Sequence, residues 1–121
     1  MPFVNNAKHV MLNALGAVAV KAALYTGIPG AGGDQNEVSG GSPAYARKTV
    51  AWNAASGGEM TKNPTPAAVF DVPAGYVRYA GFWDNGGTTF YGAELVVEEN
   101  FGAQGTYTLL DTSKLKIEDP A

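Results

Sequence analysis

The sequence predicts a mainly β fold: an antiparallel β-sandwich, jelly-roll-like or barrel-like, with one short N-terminal α-helix. Three observations predict it. The hydrophobic period changes from about 3.6 to about 2 residues after Gly16. Beyond that point, short apolar runs recur roughly every ten residues with turn residues between them. One of those turns, Asp84-Asn85-Gly86-Gly87, has the strongest hairpin composition in the chain.

The first element is the helix. Ala7, Val10, Met11, Ala14 and Leu15 fall on one helical stripe. Asn5 or Asn6 is placed to cap its start, and Gly16 stands where a left-handed C-terminal residue belongs. A helix this short needs to dock its stripe, and Val10, Met11 and Leu15 are the expected docking residues. Val18, Val20, Ala22 and Leu24 then alternate with Ala19, Lys21, Ala23 and Tyr25, which reads as a half-buried strand.

A segment from Gly27 to Pro43 follows, with six glycines and two prolines. It reads as a long surface loop, too poor in apolar residues to pack itself and ordered mainly by a neighbouring subunit. The second strand runs from Tyr45 to Trp52, and Asn53 to Gly58 form a turn. Glu59 to Asn63 is a weak strand, stopped by Pro64-Thr65-Pro66. Ala67 to Val72 is a clear strand, closed by Pro73-Ala74-Gly75. Tyr76 to Trp83 is next, and a type I′ turn at Asp84 to Gly87 leads into Thr88 to Val97. After the turn Phe101 to Gly105 come Thr106 to Asp111 and a last strand, Lys114 to Ile117. No internal repeat is present. The whole is read as one domain, 1–121, with an N-terminal arm and helix (1–16), the long loop (27–43) and a C-terminal tail (111–121).

Composition narrows the function. The chain has 121 residues, no cysteine and a net charge of -3, which excludes disulfides, thiolate metal sites and a cysteine nucleophile. Its eight basic residues are scattered, against nucleic-acid binding, which needs them clustered. No apolar run is long enough to span a membrane, and no secretion signal is evident. His9 is the single histidine and is expected on the exposed side of the helix, so no Ser-His-Asp or Cys-His pair can be built. The Gly-Ile-Pro-Gly-Ala-Gly-Gly run lacks the Gly-Lys-Ser/Thr ending and the following helix of a phosphate loop. Asp84-Asn85-Gly86-Gly87 has no further acidic residues at calcium-ligand spacing. Glu98 and Glu99 are adjacent on a strand and point to opposite faces, so they do not form a catalytic carboxylate pair. No catalytic, cofactor-binding or metal-ligating residue is assigned, and no cofactor is expected.

The aromatic residues raise a separate question. Tyr76, Tyr79, Phe82 and Trp83 put large side chains on both faces of one strand. A two-layer sandwich buries one face of each sheet. Either Tyr79 and Trp83 or Tyr76 and Phe82 therefore need a second cover: the N-terminal helix, the long loop, another protein, or a sugar stacked on an aromatic ring.

Four blocks carry a family likeness: "NEVSGGSPAYARKTVAWNAASGG", "FDVPAG", "GFWDNGGTTFYG" and "FGAQGTYTL". In this order they resemble a family of small virion proteins of actinobacterial phages, labelled tail fibre, minor tail or capsid accessory proteins. The resemblance implies a non-enzymatic structural protein of the particle with a β-sandwich body, made in the host cytoplasm and placed on the outside of the virion. The leading expectation is a capsid decoration protein bridging subunits of the shell, because the chain has no coiled-coil or collagen-like shaft. A minor tail or tail-fibre module touching the host surface is the alternative. A carbohydrate-binding module is the alternative of another class, and only under the alternatives is a glycan a partner. Expected partners are the major capsid protein or other virion subunits, with self-association in the particle and with neither nucleic acid nor membrane. Expected contact residues are Phe3 and Val4 in the arm, Ile28, Pro29, Pro43 and Tyr45 in or beside the loop, and Glu118 and Asp119 in the tail.

Overall fold

A computed structural model describes residues 4–57, 59–109 and 114–116. It is mainly β with antiparallel sheets and one N-terminal helix, as the sequence predicts. The helix, α1, is Asn5–Val18. Among the described residues eight strands follow: β1 Lys21–Tyr25, β2 Lys48–Thr49, β3 Glu59–Thr61, β4 Ala68–Val72, β5 Gly75–Trp83, β6 Phe90–Phe101, β7 Gly105–Leu109 and β8 Lys114–Lys116. One sheet has the order β2-β1-β5-β6, and two-stranded ribbons pair β3 with β8 and β4 with β7.

The β4–β7 ribbon lies over one face of the four-stranded sheet. Phe70, Val72, Tyr107 and Leu109 from the ribbon share a buried core with Ala22, Leu24, Val77, Ala80 and Phe82 from the sheet. Alternation on β4 explains this: Ala68, Phe70 and Val72 are buried while Val69 is exposed. The simple alternation on β5 breaks at Arg78. A register shift between Val77 and Tyr79 puts Val77, Ala80 and Phe82 on the core face. Tyr79 and Trp83 face the other side, beside Tyr25 and Phe90. These two are the aromatics that need a second cover.

Several expectations are corrected. The helix docks not through Val10 and Met11, which are exposed, but through Lys8, Leu12, Leu15 and Ala19. Its N-cap is Val4, without a side-chain cap bond, and it runs past Gly16. Gly16 serves close approach: a Cβ there would stand 2.8 Å from Cε of Met60. The Trp52 indole N–H donates to the Ala19 carbonyl at 2.9 Å and fixes the helix end. His9, expected on the exposed side, is half-buried. The second strand shrinks to Lys48–Thr49, because the segment before it is used in the loop and the one after it makes only an isolated bridge, Trp52 to Lys62. The Asp84 to Gly87 turn is not type I′, which needs two central residues with positive φ. Only Gly87 has one, at 72°, and the Asp84 carboxylate instead accepts from the backbone N–H of Thr88 and Thr89. Those bonds hold the Asp84 carboxyl below its ordinary range. The expected last strand is present as β8, which pairs with β3, with Met60 opposite Leu115.

Candidate functional site

The glycine-rich segment is the second cover, and it is held by its own chain. Its two limbs are stitched together by the Thr26 N–H to the Asn36 carbonyl (2.8 Å) and the Gln35 N–H to the Pro29 carbonyl (3.0 Å). The Val38 N–H donates to the Leu24 carbonyl at 3.0 Å, which ties the returning limb to β1. The Asn36 side chain donates to the Ile28 carbonyl. The expectation that the loop lacks material to pack is therefore overturned. It brings little apolar surface of its own, but Tyr25, Trp83 and Phe90 supply that surface, and the loop needs only to approach it closely. Gly33 makes that approach. Its φ is 68°, and a Cβ there would collide with the Phe90 ring.

Polar groups under the cover are satisfied. The Tyr25 hydroxyl donates to the Gly33 carbonyl at 2.8 Å and accepts from the Trp83 indole N–H at 3.0 Å. Arg47 lies over the Trp83 ring, 4.1 Å from its centroid, and pairs with both carboxylate oxygens of Glu37 at 2.8 and 2.9 Å. The Tyr45 hydroxyl donates to Glu37 and accepts from the Leu24 N–H. The Tyr45 ring stacks on Phe70, with centroids 6.2 Å apart. Burial raises the Tyr25 hydroxyl above the ordinary tyrosine range and pushes the Tyr45 hydroxyl well above it. The Glu37 hydrogen bond holds Arg47 more firmly protonated. These hydroxyls stay protonated at neutral pH and act as fixed donors, not as bases. The network is built for rigidity.

Beside the cover an open cleft of ≈ 180 Å³ is lined by Thr26, Glu37, Ser39, Pro73, Tyr76 and Val77, among others. Tyr76 is exposed on its rim, with the Arg78 guanidinium 4.1 Å from the ring centroid and itself paired to Glu98 at 2.6 Å. Arg78 also donates to the Thr26 carbonyl. No cluster that could hold a metal ion occurs among the described residues. No helix among them is long and apolar enough to cross a membrane.

The sequence-predicted contact residues are dispersed. Phe3, Glu118 and Asp119 lie outside the described residues. Val4 is exposed at the start of α1, Ile28 is exposed on the loop, and Pro43 is exposed with its carbonyl bound by Gln104. Pro29 is buried, and Tyr45 is half-buried with its hydroxyl engaged. Sequence reasoning passed over the exposed apolar residues of β6, namely Tyr91, Leu95 and Val97. On α1 it singled out Val10 and Met11 but assigned them to the body, whereas both are exposed. The signal for β6 was present: Tyr91, Ala93, Leu95 and Val97 stand at alternate positions on one side of the strand.

The family model described as "Podophage GP4 fiber I protein gp80" matches residues 8–118. No curated protein and no solved structure matches. The match bears out the resemblance to phage virion proteins but names no actinobacterial host.

Proposed function

The chain belongs to the family of the podophage GP4 fiber I protein gp80, and from that premise we propose that it is a non-enzymatic structural module of a phage fibre. The observation that carries this reading is the family match across nearly the whole body, from within α1 to beyond β8. The architecture supports it. The chain itself covers both faces of the central sheet over β1 and β5, while β6 leaves Tyr91, Leu95 and Val97 exposed, and the Tyr25 and Tyr45 hydroxyls are used in fixed bonds. Such a body transmits and presents; it does not turn over a substrate. We put the fibre ahead of the capsid shell because the matched description names a fibre and nothing in the fold favours the shell. As a virion component, the protein has its functional surfaces on the outside of this body. The test is the copy number in purified particles, combined with antibody labelling in electron micrographs. A fibre module is present at a small multiple per particle and labels the tail or its fibres. Hundreds of copies with label over the head would put it on the shell instead. Absence from particles would reject both.

A further inference from the structure

The turn between β5 and β6 carries Asn85-Gly86, the single Asn-Gly pair in the chain. The flanks of this turn are fixed. The Asp84 N–H donates to the Thr89 carbonyl at 3.0 Å, and the Gly87 N–H donates to the Asp84 carbonyl at 3.1 Å. The Asp84 carboxylate accepts from the N–H groups of Thr88 and Thr89 and from the Thr88 hydroxyl. These bonds leave out the apex, where Asn85 and Gly86 are both exposed. Among the described residues, nothing is hydrogen-bonded to the Asn85 side-chain amide or to the Gly86 N–H. The other asparagines stand differently. The side-chain amides of Asn13, Asn36, Asn53 and Asn63 are engaged in hydrogen bonds. Asn5, Asn6 and Asn100 are each followed by a residue with a Cβ.

Asparagine is among the chemically labile residue types. Glycine after it matters because no Cβ obstructs the approach of the glycine nitrogen to the asparagine side chain. We propose that Asn85 is a site of spontaneous modification: it deamidates through a succinimide and gives the protein a second form with an added carboxylate at this turn. Hydroxide takes the proton of the Gly86 N–H, and the nitrogen attacks Cγ of Asn85. The new N–Cγ bond forms, the bond from Cγ to the side-chain nitrogen breaks, and that nitrogen takes a proton from water and leaves as ammonia. A water molecule then opens the ring. Attack at Cγ gives aspartate. Attack at the main-chain carbonyl gives isoaspartate, in which the backbone runs through the side chain and is one atom longer. One water is consumed and one ammonia released. The turn is placed where the change matters. Gly87 has a φ of 72°, and a Cβ on it would stand 3.1 Å from Nη1 of Arg47. The added charge and the longer backbone therefore arise two residues from a contact with the guanidinium that covers Trp83 and is held by Glu37. The inference stands on the turn alone, so it is independent of the fibre reading.

The experiment ages the full chain in buffers from neutral to mildly alkaline pH and follows each asparagine by peptide mapping with mass spectrometry. Aspartate and isoaspartate are told apart by chromatography and by methylation with an isoaspartate-specific methyltransferase. The expected result is conversion at Asn85 ahead of every other asparagine, faster at higher pH, with both products present. Gly86→Ala is the diagnostic variant. Gly86 has no left-handed φ, and a Cβ there would meet Asp84 Oδ2 at 3.9 Å, an ordinary contact, so the turn accepts it. Its melting temperature should match that of the unaltered protein while conversion at Asn85 slows severalfold. Asn85→Gln, at an exposed position, is the second variant: it keeps the amide but has to close a larger ring, and it should stay unconverted over the same period. Conversion in urea but not in the folded protein overturns the proposal, because the turn then shields the pair. Earlier conversion at another asparagine overturns it too, as does an unslowed Gly86→Ala. A product containing aspartate alone does the same, since it denotes direct hydrolysis of the amide without the ring.

Discussion

Single residues separate two ways in which a glycine is required. Gly33 and Gly40 both have left-handed φ, at 68° and 86°. A Cβ added at Gly40 would meet nothing within 4 Å, whereas at Gly33 the Phe90 ring occupies that place. Gly40→Ala therefore carries only the backbone penalty of about 1–2 kcal/mol. Gly33→Ala adds an overpacking cost of about 1–3 kcal/mol, because Phe90 is held by Trp83 and Tyr25 and has nowhere to retreat. Urea unfolding of the two variants should rank them in that order, and equal losses would mean that the loop shifts freely over the sheet. Tyr107 allows a second prediction. Its hydroxyl donates to the Val97 carbonyl at 2.6 Å, and burial, with the charges of Glu99 and Glu94, pushes its pKa up to about 12. A group whose pKa is raised by folding stabilises fully below its unfolded value of about 10. That contribution is lost as pH rises toward 12. Tyr25 and Tyr45 shift in the same direction. Stability should therefore be flat through neutral pH and fall above about pH 10. Tyr107→Phe should cost about 1 kcal/mol at pH 7 and flatten the alkaline decline. An unchanged decline in that variant would assign it to the other two tyrosines.

At the scale of elements, the helix shows what periodicity carries and what it leaves open. The stripe Ala7, Val10, Met11, Ala14 and Leu15 is a true apolar stripe, and the helix is where it was expected. But α1 has two adjacent apolar faces, and spacing alone does not say which one meets the body. Gly16 decides it, by letting the backbone close on Met60. Leu12→Ala should cost about 2–5 kcal/mol, since Leu12 is fully buried. Val10→Ala, at an exposed position, should cost less than about 0.5 kcal/mol. Comparable losses at the two positions would reverse the assignment of faces. The loop teaches the complementary lesson. Its glycines were legible, but two of the rings they approach, Trp83 and Phe90, lie about fifty residues further along the chain, and Trp83 reaches that face through a register shift at Arg78 that no local pattern announces. Deleting Gly30 to Gly33 removes the carbonyl that accepts from Tyr25 and the contact with Phe90. It should lower the melting temperature clearly, where a mere connector would tolerate shortening.

At the scale of the whole molecule, the fold class was legible because strand alternation and turn residues are local, as on β4, where Ala68, Phe70 and Val72 point inward. Which strands pair was not, because β4 with β7 and β3 with β8 are joined only by the collapsed core. The exposed apolar surface was the least legible, since exposure of Val10 or Leu95 exists only once the chain has chosen its inside. Two layers closing on one sheet raise the question of whether they unfold together. Tyr45 gives the physical reason that they do. Its ring stacks on Phe70 in the sandwich core, and its hydroxyl is bonded to Glu37 and to the backbone of Leu24 under the loop. Removing either layer strands the other half of this side chain. The chain's two tryptophans report the two sides separately: Trp52 lies edge-on to Phe82 in the sandwich core, and Trp83 lies under Arg47 beneath the loop. Trp52→Phe leaves Trp83 as the reporter of the loop face, and Trp83→Phe leaves Trp52 as the reporter of the core. In each variant the remaining tryptophan's fluorescence should change at the same urea concentration as the far-ultraviolet signal of that variant, as a single cooperative unit requires. If Trp83 emission shifts first, while circular dichroism is still native, the loop opens as a separate unit of lower stability and Tyr45 does not couple the layers. Tyr45→Phe keeps the ring stack and removes the hydroxyl, so it should move the loop transition more than the core transition and pull the two apart.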